Sequence, residues 1–281
     1  MKTAFITGIT GTLGQEVSRQ ILDLPDWRVI GFSRDEFKQK NMTPHERLTL
    51  VLGDVRDRVR LVESTRNVDL IFHFAALKHV DLLELNPEES IATNVLGTEN
   101  ILSAQRMNKV PRVCLSSTDK AVYPVNVYGA CKLLSERLVL RNKNNIVCRW
   151  GNVFGSRGSV IHKFIEGLRA ENRVGLTHGE MTRFFVRIED AAKFMLNKSL
   201  DPSQTGLQIL PMKACSMRWL IDEIAAEINS GPYTVNLTGT RPGEKIHEHL
   251  RAFFEGGDVD SGTAERLTSD DVRPWIRELA I

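Results

Sequence analysis

The chain has 281 residues, of which 42% are hydrophobic and 26% charged, and its formal net charge is +2. This length fits one large domain or a domain with an added lobe, and the near-neutral charge gives no electrostatic reason to expect a nucleic-acid partner. The apolar runs reach only strand length and the N-terminus lacks a long apolar stretch, so neither a membrane-spanning helix nor a secretory signal is expected, and the predicted location is cytoplasmic.

The first half of the chain alternates short apolar runs with segments of helical periodicity, which predicts a parallel β-sheet with helices on both faces. The predicted strands are residues 3–7, 28–32, 48–52, 70–74, 112–116 and 145–149. The predicted helices are residues 13–22, 86–108 and 128–141. The fold class that follows is α/β, a Rossmann-like doubly wound parallel sheet with a smaller C-terminal lobe.

After Trp150 a glycine-rich loop is followed by helical patterns at residues 160–170, 189–200, 217–228 and 268–279. The turn-rich segment 239–248 is predicted to lead into a helix, and residues 255–262 to form an acidic surface loop. We therefore predict a dinucleotide-binding domain over residues 1–152 and about 184–206. A nucleotide-sugar-binding lobe is predicted over about 153–183 and 207–281.

The first strand runs into TGITGTLG, which places Gly8, Gly11 and Gly14 three residues apart. In a dinucleotide-binding turn the first glycine allows the tight turn, the second lets the backbone approach a pyrophosphate, and the third lets the helix pack on the strand. The amides at the start of the helix then face the phosphates. We predict a dinucleotide site at this turn, with further contacts from Thr10, Thr12 and Leu13.

The end of the second strand predicts which dinucleotide binds. An NAD site usually has Asp or Glu here to bind the ribose hydroxyls, whereas this chain has Ser33 and Arg34, with Lys38 one helical turn later. A hydroxyl and two cations suit a 2′-phosphate, so NADP is the predicted cofactor. The alternative is that both cations are merely solvated, and the neighbouring Asp35 leaves NAD open.

Two later strand ends complete the predicted cofactor site. Asp54 and Val55 follow the third strand and are predicted to contact the adenine. Ala75 and Ala76 follow the fourth strand, where small side chains let the backbone approach the cofactor, and Lys78 lies in the same loop.

Residues 117–132 read STDKAVYPVNVYGACK and carry the predicted chemistry. Tyr128 and Lys132 are one helical turn apart, and a lysine ammonium beside a phenol favours the phenolate, which lowers the pKa of the tyrosine. Such a phenol can act as a general base on a sugar hydroxyl. Asp119 and Lys120 lie just upstream as a second proton-transfer pair, which a simple dehydrogenase would not need. The alternative for this second pair is an ordinary surface turn.

Together, TGITGTLG, the HFAA strand end and the Tyr128–Lys132 pair resemble the extended short-chain dehydrogenase/reductase family. Five longer strings resemble a narrower group, the soluble UDP-N-acetylglucosamine 4,6-dehydratases that invert C5 and begin pseudaminic-acid-type pathways. The strings are AALKHVD, STDKAVYPVNVYGACK, RWGNVFGSRGSVI, MTRFFV and RPGEKIHE. The resemblance covers residues 1 to about 250, and the chain departs from it in having fewer residues after RPGEKIHE.

This resemblance implies a mechanism. Tyr128 takes the proton of the C4 hydroxyl, Lys132 lowers the pKa of Tyr128 and holds the nicotinamide ribose, and Thr118 binds the C4 oxygen. Lys120 is the implied base at C5, and Asp119 the implied acid for the departing C6 hydroxyl. Oxidation at C4, loss of water across C5–C6 and return of hydride to C6 give UDP-2-acetamido-2,6-dideoxy-β-L-arabino-hex-4-ulose.

The resemblance also implies that the second lobe holds UDP-N-acetylglucosamine or a close UDP-sugar. Arg157 and Arg241 are candidates for the diphosphate, because arginine binds phosphates bidentately, and Glu244 for the ribose hydroxyls. A structural salt bridge is the alternative for each arginine. The further substrate candidates are Lys78, Tyr123, Asn152 and Arg183.

Neither the cysteines nor the histidines suggest a metal site. The four cysteines are scattered without a CxxC motif and are expected to be buried, reduced thiols. His247 and His249, two residues apart on a predicted helix, would point their rings apart, and no acid or cysteine cluster completes a site. No metal is predicted.

Three alternatives remain open from the sequence. A C5-retaining nucleotide-sugar 4,6-dehydratase and a 4-epimerase would share the fold, and an epimerase would need only the tyrosine–lysine pair. A non-catalytic NADP-binding regulator is the alternative from another class. Because the helices predicted at residues 86–108 and 128–141 form a dimer interface in the family, a homodimer or higher homo-oligomer is expected.

Overall fold

A computed structural model describes residues Met1–Ala280. Its strands are β1 Lys2–Thr7, β2 Trp27–Ser33, β3 Leu48–Leu52, β4 Leu70–His73, β5 Val113–Thr118, β6 Ile146–Trp150, β7 Asn152–Val153, β8 Arg173–Leu176, β9 Thr182–Val186, β10 Gly206–Ile209, β11 Ala214–Ser216, β12 Thr234–Leu237, β13 His249–Arg251 and β14 Val259–Asp260.

The helices are α1 Thr12–Leu22, α2 Glu36–Lys40, α3 Arg58–Ser64, α4 Val80–Leu85, α5 Pro87–Ser90, α6 Gly97–Asn108, α7 Val127–Val139, α8 Val160–Glu171, α9 Ile188–Leu200, α10 Met217–Glu227 and α11 Ser269–Ala280. A π-helical segment, Ile91–Leu96, joins α5 to α6, and 3₁₀ turns lie at Asp119–Ala121 and Phe253–Glu255.

Seven strands form one parallel sheet in the order β10-β6-β5-β4-β1-β2-β3. Thr7 at the end of β1 pairs with Phe32 of β2 on one side and His73 of β4 on the other. The strand order therefore reverses between β1 and β4, and ligands of doubly wound sheets bind in the crevice at such a switch point. This sheet confirms the predicted Rossmann-like fold class.

The chain forms two compact units. Unit 1 comprises Met1–Arg149 and Glu189–Leu210, and unit 2 comprises Trp150–Ile188 and Pro211–Ile281. The core of unit 1 includes Phe5, Phe32 and Ile71 of the sheet, with Ile101 of α6 packed on them.

Unit 2 has a core of its own, in which Ile161, Phe164, Phe185, Leu220 and Ile276 are buried. It contains a three-stranded sheet, β11-β9-β7, and the two-stranded sheets β12-β8 and β13-β14. Thr268 and Asp271 exchange hydrogen bonds at the start of α11, which caps the helix.

The helix predicted to follow residues 239–248 is wrong, because His249–Arg251 is a strand that pairs with β14. Leu250 is buried while His249 and Arg251 are partly exposed, a period of two residues that suits a strand. The acidic loop predicted over 255–262 is also incomplete, since it contains β14.

The four cysteines are buried free thiols, as expected. Within residues Met1–Ala280, no helix is both long enough and apolar enough to span a bilayer.

Candidate active site

The turn after β1 is shaped by its glycines. Gly8 has a left-handed φ of 68°, and a Cβ there would lie 2.8 Å from the amide nitrogen of Ala75. A Cβ on Gly14 would collide with the carbonyl oxygen of Gly8. α1 begins at Thr12, directly after this turn, so its first amides lie at the switch point, and the close backbone approach fits a pyrophosphate there. The other predicted contacts, Thr10 and Leu13, lie in the turn and in the first turn of the helix.

His73 joins the ends of β1 and β4 as a neutral imidazole. Thr98 donates its hydroxyl proton to the carbonyl of Asn94 (2.6 Å), so His73 Nε2 is the donor to Thr98 Oγ1 (3.1 Å). His73 Nδ1 then accepts from Thr7 Oγ1 at 2.8 Å. Burial, together with the charge of Lys132, lowers the pKa of His73 to about 3, so the ring stays uncharged at neutral pH.

The loop that carries Ala75, Ala76 and Lys78 is fixed by a residue that the sequence analysis missed. Asn94, in the π-helical segment, accepts from the Leu77 amide at 2.8 Å and donates to the Leu77 carbonyl at 2.9 Å. π-Helical segments are frequent at functional sites. Asparagine inside an apolar helical pattern is the only signal that the sequence offers for this contact.

At the end of β2, Asp35 is the carboxylate that would favour NAD as the cofactor, and it already has two partners within α2. Asp35 caps α2 by accepting from the Lys38 amide at 2.9 Å, and its other oxygen is 2.7 Å from Lys38 Nζ. Ser33 Oγ accepts from the side chain of Gln39 at 2.9 Å. The Lys38 ammonium is thus paired with Asp35, although the side chain remains half exposed.

Arg34 is half exposed and lies 3.4 Å from Asp54 Oδ2, where Arg56 binds more closely, at 2.8 Å. Partial burial raises the pKa of Asp54, but hydrogen bonds from Arg56 and the charges of both arginines outweigh it and lower the pKa overall. Arg34 is therefore close to an ionised carboxylate without being held tightly by it. The adjacent Val55 is buried.

The predicted catalytic segment is compact. Thr118 Oγ1 donates to Asp119 Oδ1 at 2.8 Å, and Lys120 Nζ donates to the same oxygen at 3.1 Å. Asp119 is fully buried, whereas Lys120 keeps about 20% of its side-chain surface exposed. The pair is therefore an ion pair between a buried carboxylate and a partly exposed ammonium, and not the surface turn that was the alternative.

The first turn of α7 packs directly on this segment. Asn126 caps the helix by accepting from the amide of Gly129 at 2.7 Å. A Cβ on Gly129 would collide with the carbonyl oxygen of Lys120, so only glycine allows this approach. Thr118, Asp119 and Lys120 are thereby brought beside Tyr128.

The expected effect of Lys132 on Tyr128 is wrong for this structure. Burial and, to a smaller extent, the charge of Asp119 raise the pKa of Tyr128 to about 12, against the opposing charge of Lys120 and a hydrogen bond with Thr118. Lys132 instead donates to the Ser116 carbonyl at 2.6 Å, and burial lowers its own pKa to about 8. A spacing of four residues on a helix predicts a shared face, but it does not reveal a carbonyl that captures the ammonium.

Tyr123, a predicted substrate contact, has an exposed side chain and a φ of 44° immediately before Pro124. A bulky residue is rarely left-handed, and a following proline restricts it further. Backbone strain of this kind is concentrated at functional sites.

In unit 2, Arg183 is nearly buried and supports the backbone rather than facing open space. Its guanidinium donates to the carbonyls of Thr182, Lys245 and Ile246 at 2.7–3.0 Å. It thus holds the segment that contains RPGEK, and it lies 3.9 Å from Glu244.

Arg241–Glu244 is a tight turn in which the Glu244 amide donates to the Arg241 carbonyl at 3.1 Å. Gly243 supplies the positive φ, 77°, that a type II turn with proline at its second position requires. The Glu244 side chain accepts from the Arg241 amide at 3.3 Å, and the Arg241 side chain is exposed.

Arg157 lines an open cavity of about 370 Å³ with Gly158, Ser159, His162, Lys163 and Glu166 at the start of α8. Asn152 donates to the carbonyl of Phe184 at 3.2 Å, which joins β7 to β9.

His247 and His249 are not on a helix, which corrects the geometry used above. His247 Nδ1 is 2.8 Å from the hydroxyl of Thr182, and His249 Nδ1 is 2.8 Å from Asp258. Among residues Met1–Ala280, no group of three or more His, Cys, Asp or Glu side chains is arranged to hold a metal ion.

Comparisons with known proteins place the chain in a family. The family model described as polysaccharide biosynthesis protein matches residues 4–260. A UDP-glucose 4-epimerase of Rickettsia typhi is 38% identical over 89% of this chain and 77% of that protein. The structure of Pen from Bacillus thuringiensis is 28% identical, with a TM-score of 0.92 over 99% of this chain and 97% of that one.

A dTDP-glucose 4,6-dehydratase of Streptomyces venezuelae, DesIV, solved with NAD bound, has a TM-score of 0.82 at 22% identity, over 98% of this chain and 96% of that one. This likeness shows the fold alone, the Rossmann-like α/β fold described above. With its family model spanning nearly the whole sequence, the chain belongs to the polysaccharide biosynthesis protein family.

Proposed function

We propose that this protein is an NADP-dependent UDP-N-acetylglucosamine 4,6-dehydratase that inverts C5. The observation that carries the proposal is the Asp119–Lys120 ion pair, 3.1 Å long, in which Asp119 is buried and Lys120 partly exposed, beside Thr118 and Tyr128. The tyrosine alone would suffice for oxidation of a hydroxyl, whereas elimination of water needs a further base and a further acid.

The glycine turn after β1 supports a dinucleotide whose pyrophosphate lies against the first amides of α1. A bound nicotinamide would supply the oxidant for C4 and the reductant for C6 within one turnover. Asp35 is engaged as a helix cap, and Arg34 is half exposed nearby, which favours the 2′-phosphate of NADP over a bare ribose.

Tyr128 would accept the proton of the C4 hydroxyl. Because burial raises the pKa of Tyr128 to about 12, it needs nearby cations and donors to act at neutral pH. The charge of Lys120 favours the phenolate, whereas the neighbouring carboxylate of Asp119 disfavours it. General-base assistance of this kind is worth about 10²–10⁴ in rate.

The Asp119–Lys120 pair would serve the elimination. Transfer of one proton from the Lys120 ammonium to Asp119 turns the ion pair into a neutral amine and a carboxylic acid. The amine can then take the C5 proton, and the acid can protonate the departing C6 hydroxyl, which leaves as water. Both groups return to their ionised forms, so the proton count balances.

The nucleotide would be held by unit 2. The exposed Arg241 and Arg157 remain the candidates for the diphosphate, and Glu244 for the ribose hydroxyls. Arg183 would act by holding the RPGEK segment in place, since its guanidinium is bound to that backbone.

A UDP-sugar 4-epimerase is the second candidate, because a 38%-identical relative carries that name. Incubation with UDP-N-acetylglucosamine in deuterium oxide, followed by NMR of the product, separates the two. The dehydratase yields a 6-methyl signal and one deuterium at C5 with inverted configuration. UDP-N-acetylgalactosamine without a methyl signal would establish the epimerase, and bound NADP without turnover of any UDP-sugar would favour a regulator.

Lys120→Ala tests whether the Asp119–Lys120 ion pair takes part in the elimination. We expect unchanged NADP affinity but loss of deuterium uptake at C5 and a fall in kcat of at least 10². Lys143→Ala, at an exposed lysine of the same unit, is the matched control. Wild-type deuterium uptake in Lys120→Ala would remove Lys120 from the role of C5 base.

We also propose that the protein is at least a dimer. α4 and the π-helical segment both pack against α7, and each of the three keeps exposed apolar side chains. These are Leu82, Leu85, Ile91, Leu96 and Leu134. A clustered apolar surface of this kind is more typical of an interface with a second copy than of a free surface. Light scattering of the purified protein measures its mass, and a monomer would contradict the proposal.

A further inference from the structure

A buried ion pair lies behind the catalytic helix and takes no part in the chemistry above. Arg149 and Glu136 are 1% and 2% exposed, and Arg149 is the largest fully buried side chain in the described structure. Arg149 Nη2 donates to Glu136 Oε2 at 2.6 Å, and its Nε donates to Oε1 at 3.0 Å. This two-pronged geometry fixes both side chains.

Glu136 connects the pair to the segment that carries the catalytic residues. Glu136 lies one helical turn after Lys132 on α7, and its Oε1 also accepts from Ser117 Oγ at 2.5 Å. Lys132 Nζ donates to the carbonyl of Ser116, which immediately precedes Ser117 in β5. α7 is thus tied by two polar contacts to consecutive residues of β5, immediately before Thr118.

We propose that Glu136 and Arg149 are positioning residues, which hold α7 in register on β5 and β6 and keep Lys132 as an ammonium ion during the reaction. This proposal rests on the proposed function only in giving Lys132 the role that the family resemblance implies, contact with the nicotinamide ribose of the bound dinucleotide. The contacts that support it belong to unit 1 alone.

The surroundings of Lys132 support the electrostatic part. Burial lowers the pKa of Lys132 to about 8, and the Glu136 carboxylate is the main group that opposes this, with a smaller effect from Cys131. On β4, the neighbouring His73 is neutral. On β6, Arg149 is bound to Glu136 and offsets part of its charge.

Charged groups on the other elements packed against α7 contact different partners. In the described structure, Glu84 of α4 accepts from the Val127 amide, Glu89 of α5 pairs with Arg56, Glu99 of α6 pairs with Arg106, and Asp119 pairs with Lys120. Glu136 is therefore the carboxylate whose removal should change the protonation of Lys132.

A buried ion pair is seldom retained for stability alone, because apolar residues of similar volume often replace such a pair without loss. Removal of one partner, in contrast, leaves a charge buried and uncompensated. These two rules separate a positioning role from a purely structural one. If both Glu136 and Arg149 are replaced by apolar residues, the protein should still fold, but the rate of the reaction should fall.

The first test is Glu136→Gln, which keeps the size and one acceptor but removes the charge. Lys132 should then lose its proton at lower pH, and the high-pH limb of the kcat/KM profile should move down by about one pH unit. Glu99→Gln, which removes the carboxylate of an exposed pair in the same unit, should leave that limb unchanged.

The second test is the double variant Glu136→Leu with Arg149→Met, which remains informative if the single variant fails to fold. We expect a thermal midpoint near that of the wild type, at least a tenfold lower kcat and the same shift of the high-pH limb. Wild-type kcat and an unshifted profile in the folded double variant would overturn the proposal.

A substrate-independent readout separates this proposal from the proposed function. NMR of protein labelled with ¹³C at the lysine ε-carbon gives the titration midpoint of Lys132, assigned by loss of its signal in Lys132→Met. The midpoint should fall in Glu136→Gln and stay constant in Glu99→Gln, even if UDP-N-acetylglucosamine is not the substrate. An unchanged midpoint in Glu136→Gln would reject the electrostatic role whatever the reaction.

Discussion

Tyr123 is held in a conformation that its side chain disfavours. The other non-glycine residues with positive φ are Asn67, Lys109, Asn172 and Asn229, which follow helices, where a left-handed residue ends the helix. Tyr123 lies instead between the Asp119–Ala121 turn and α7, next to the candidate chemistry. Its strain therefore has no local structural explanation of the kind that the other four share.

Tyr123→Asn should release this strain, because asparagine tolerates left-handed backbone. We expect the free energy of unfolding to rise by about 1 kcal/mol and kcat/KM for the UDP-sugar to fall, as strain stored at a site predicts. Urea denaturation and steady-state kinetics measure the two effects. The reciprocal variant Asn172→Tyr should destabilise by a similar amount. A Tyr123→Asn protein less stable than wild type would contradict the strain argument.

Arg34→Ala tests the preference for NADP. Loss of a charge-assisted hydrogen bond to the 2′-phosphate should weaken NADP⁺ binding about tenfold or more and leave NAD⁺ binding unchanged. Calorimetric titration with both dinucleotides measures this difference. Lys40→Ala, at an exposed lysine of α2, is the control. Equal weakening for both dinucleotides would show that Arg34 does not read the phosphate.

At the scale of elements, the contact between the Asp119–Ala121 turn and the first turn of α7 sets the geometry of the candidate site. It depends on Gly129, whose missing Cβ leaves room for the Lys120 carbonyl. The position of Lys120 relative to Tyr128 is therefore a property of the packing of two elements and not of either residue alone.

Gly129→Ala should force the turn away from α7. We expect kcat to fall about 10²-fold, because small misplacements of catalytic groups have effects of this size, while NADP affinity stays close to wild type. Gly179→Ala is the control, since a Cβ there would meet no atom within 4 Å. Steady-state kinetics and dinucleotide titration measure both quantities, and wild-type kcat in Gly129→Ala would contradict the packing argument.

Six of the seven strands of the large sheet could be predicted from the sequence, because most of them are buried on both faces and read as continuous apolar runs. The seventh, β10, was not predicted, and its residues are partly exposed. The strands of two to four residues in unit 2, such as β7, β8 and β11, are too short to show a period. Residues 249–251 were predicted as helix because a three-residue alternation is too short to outweigh the propensities around it. Nothing in the sequence indicated that Glu136 and Arg149 form a buried ion pair, since spacing along the chain does not reveal which charges are buried together.

At the scale of the whole molecule, the neutral buried His73 makes stability depend on pH. Its pKa of about 3 in the folded protein lies below the usual value of 6.5, so the unfolded chain binds the proton more readily. Stability is therefore fully present above pH 6.5 and is lost as pH falls toward 3, by about 1.4 kcal/mol per pH unit from this group.

Urea denaturation between pH 7 and pH 4 measures this loss. His73→Gln should remove the contribution and flatten the dependence, at a cost in stability near neutral pH from altered hydrogen bonds. His45→Gln, at an exposed histidine, should keep the wild-type slope. An unchanged slope in His73→Gln would assign the acid sensitivity to other groups.

The edge of the large sheet has a consequence for synthesis on the ribosome. β10 pairs with β6 and ends the sheet on that side, yet the two strands are separated in the chain by most of the first part of unit 2. Because synthesis proceeds at about 5–20 residues per second, several seconds pass between the emergence of β6 and that of β10. During that interval the backbone edge of β6 can pair with other chains. Slower translation while β6 has left the ribosome and β10 has not should therefore lower the soluble yield, whereas slowing after β10 has emerged should not.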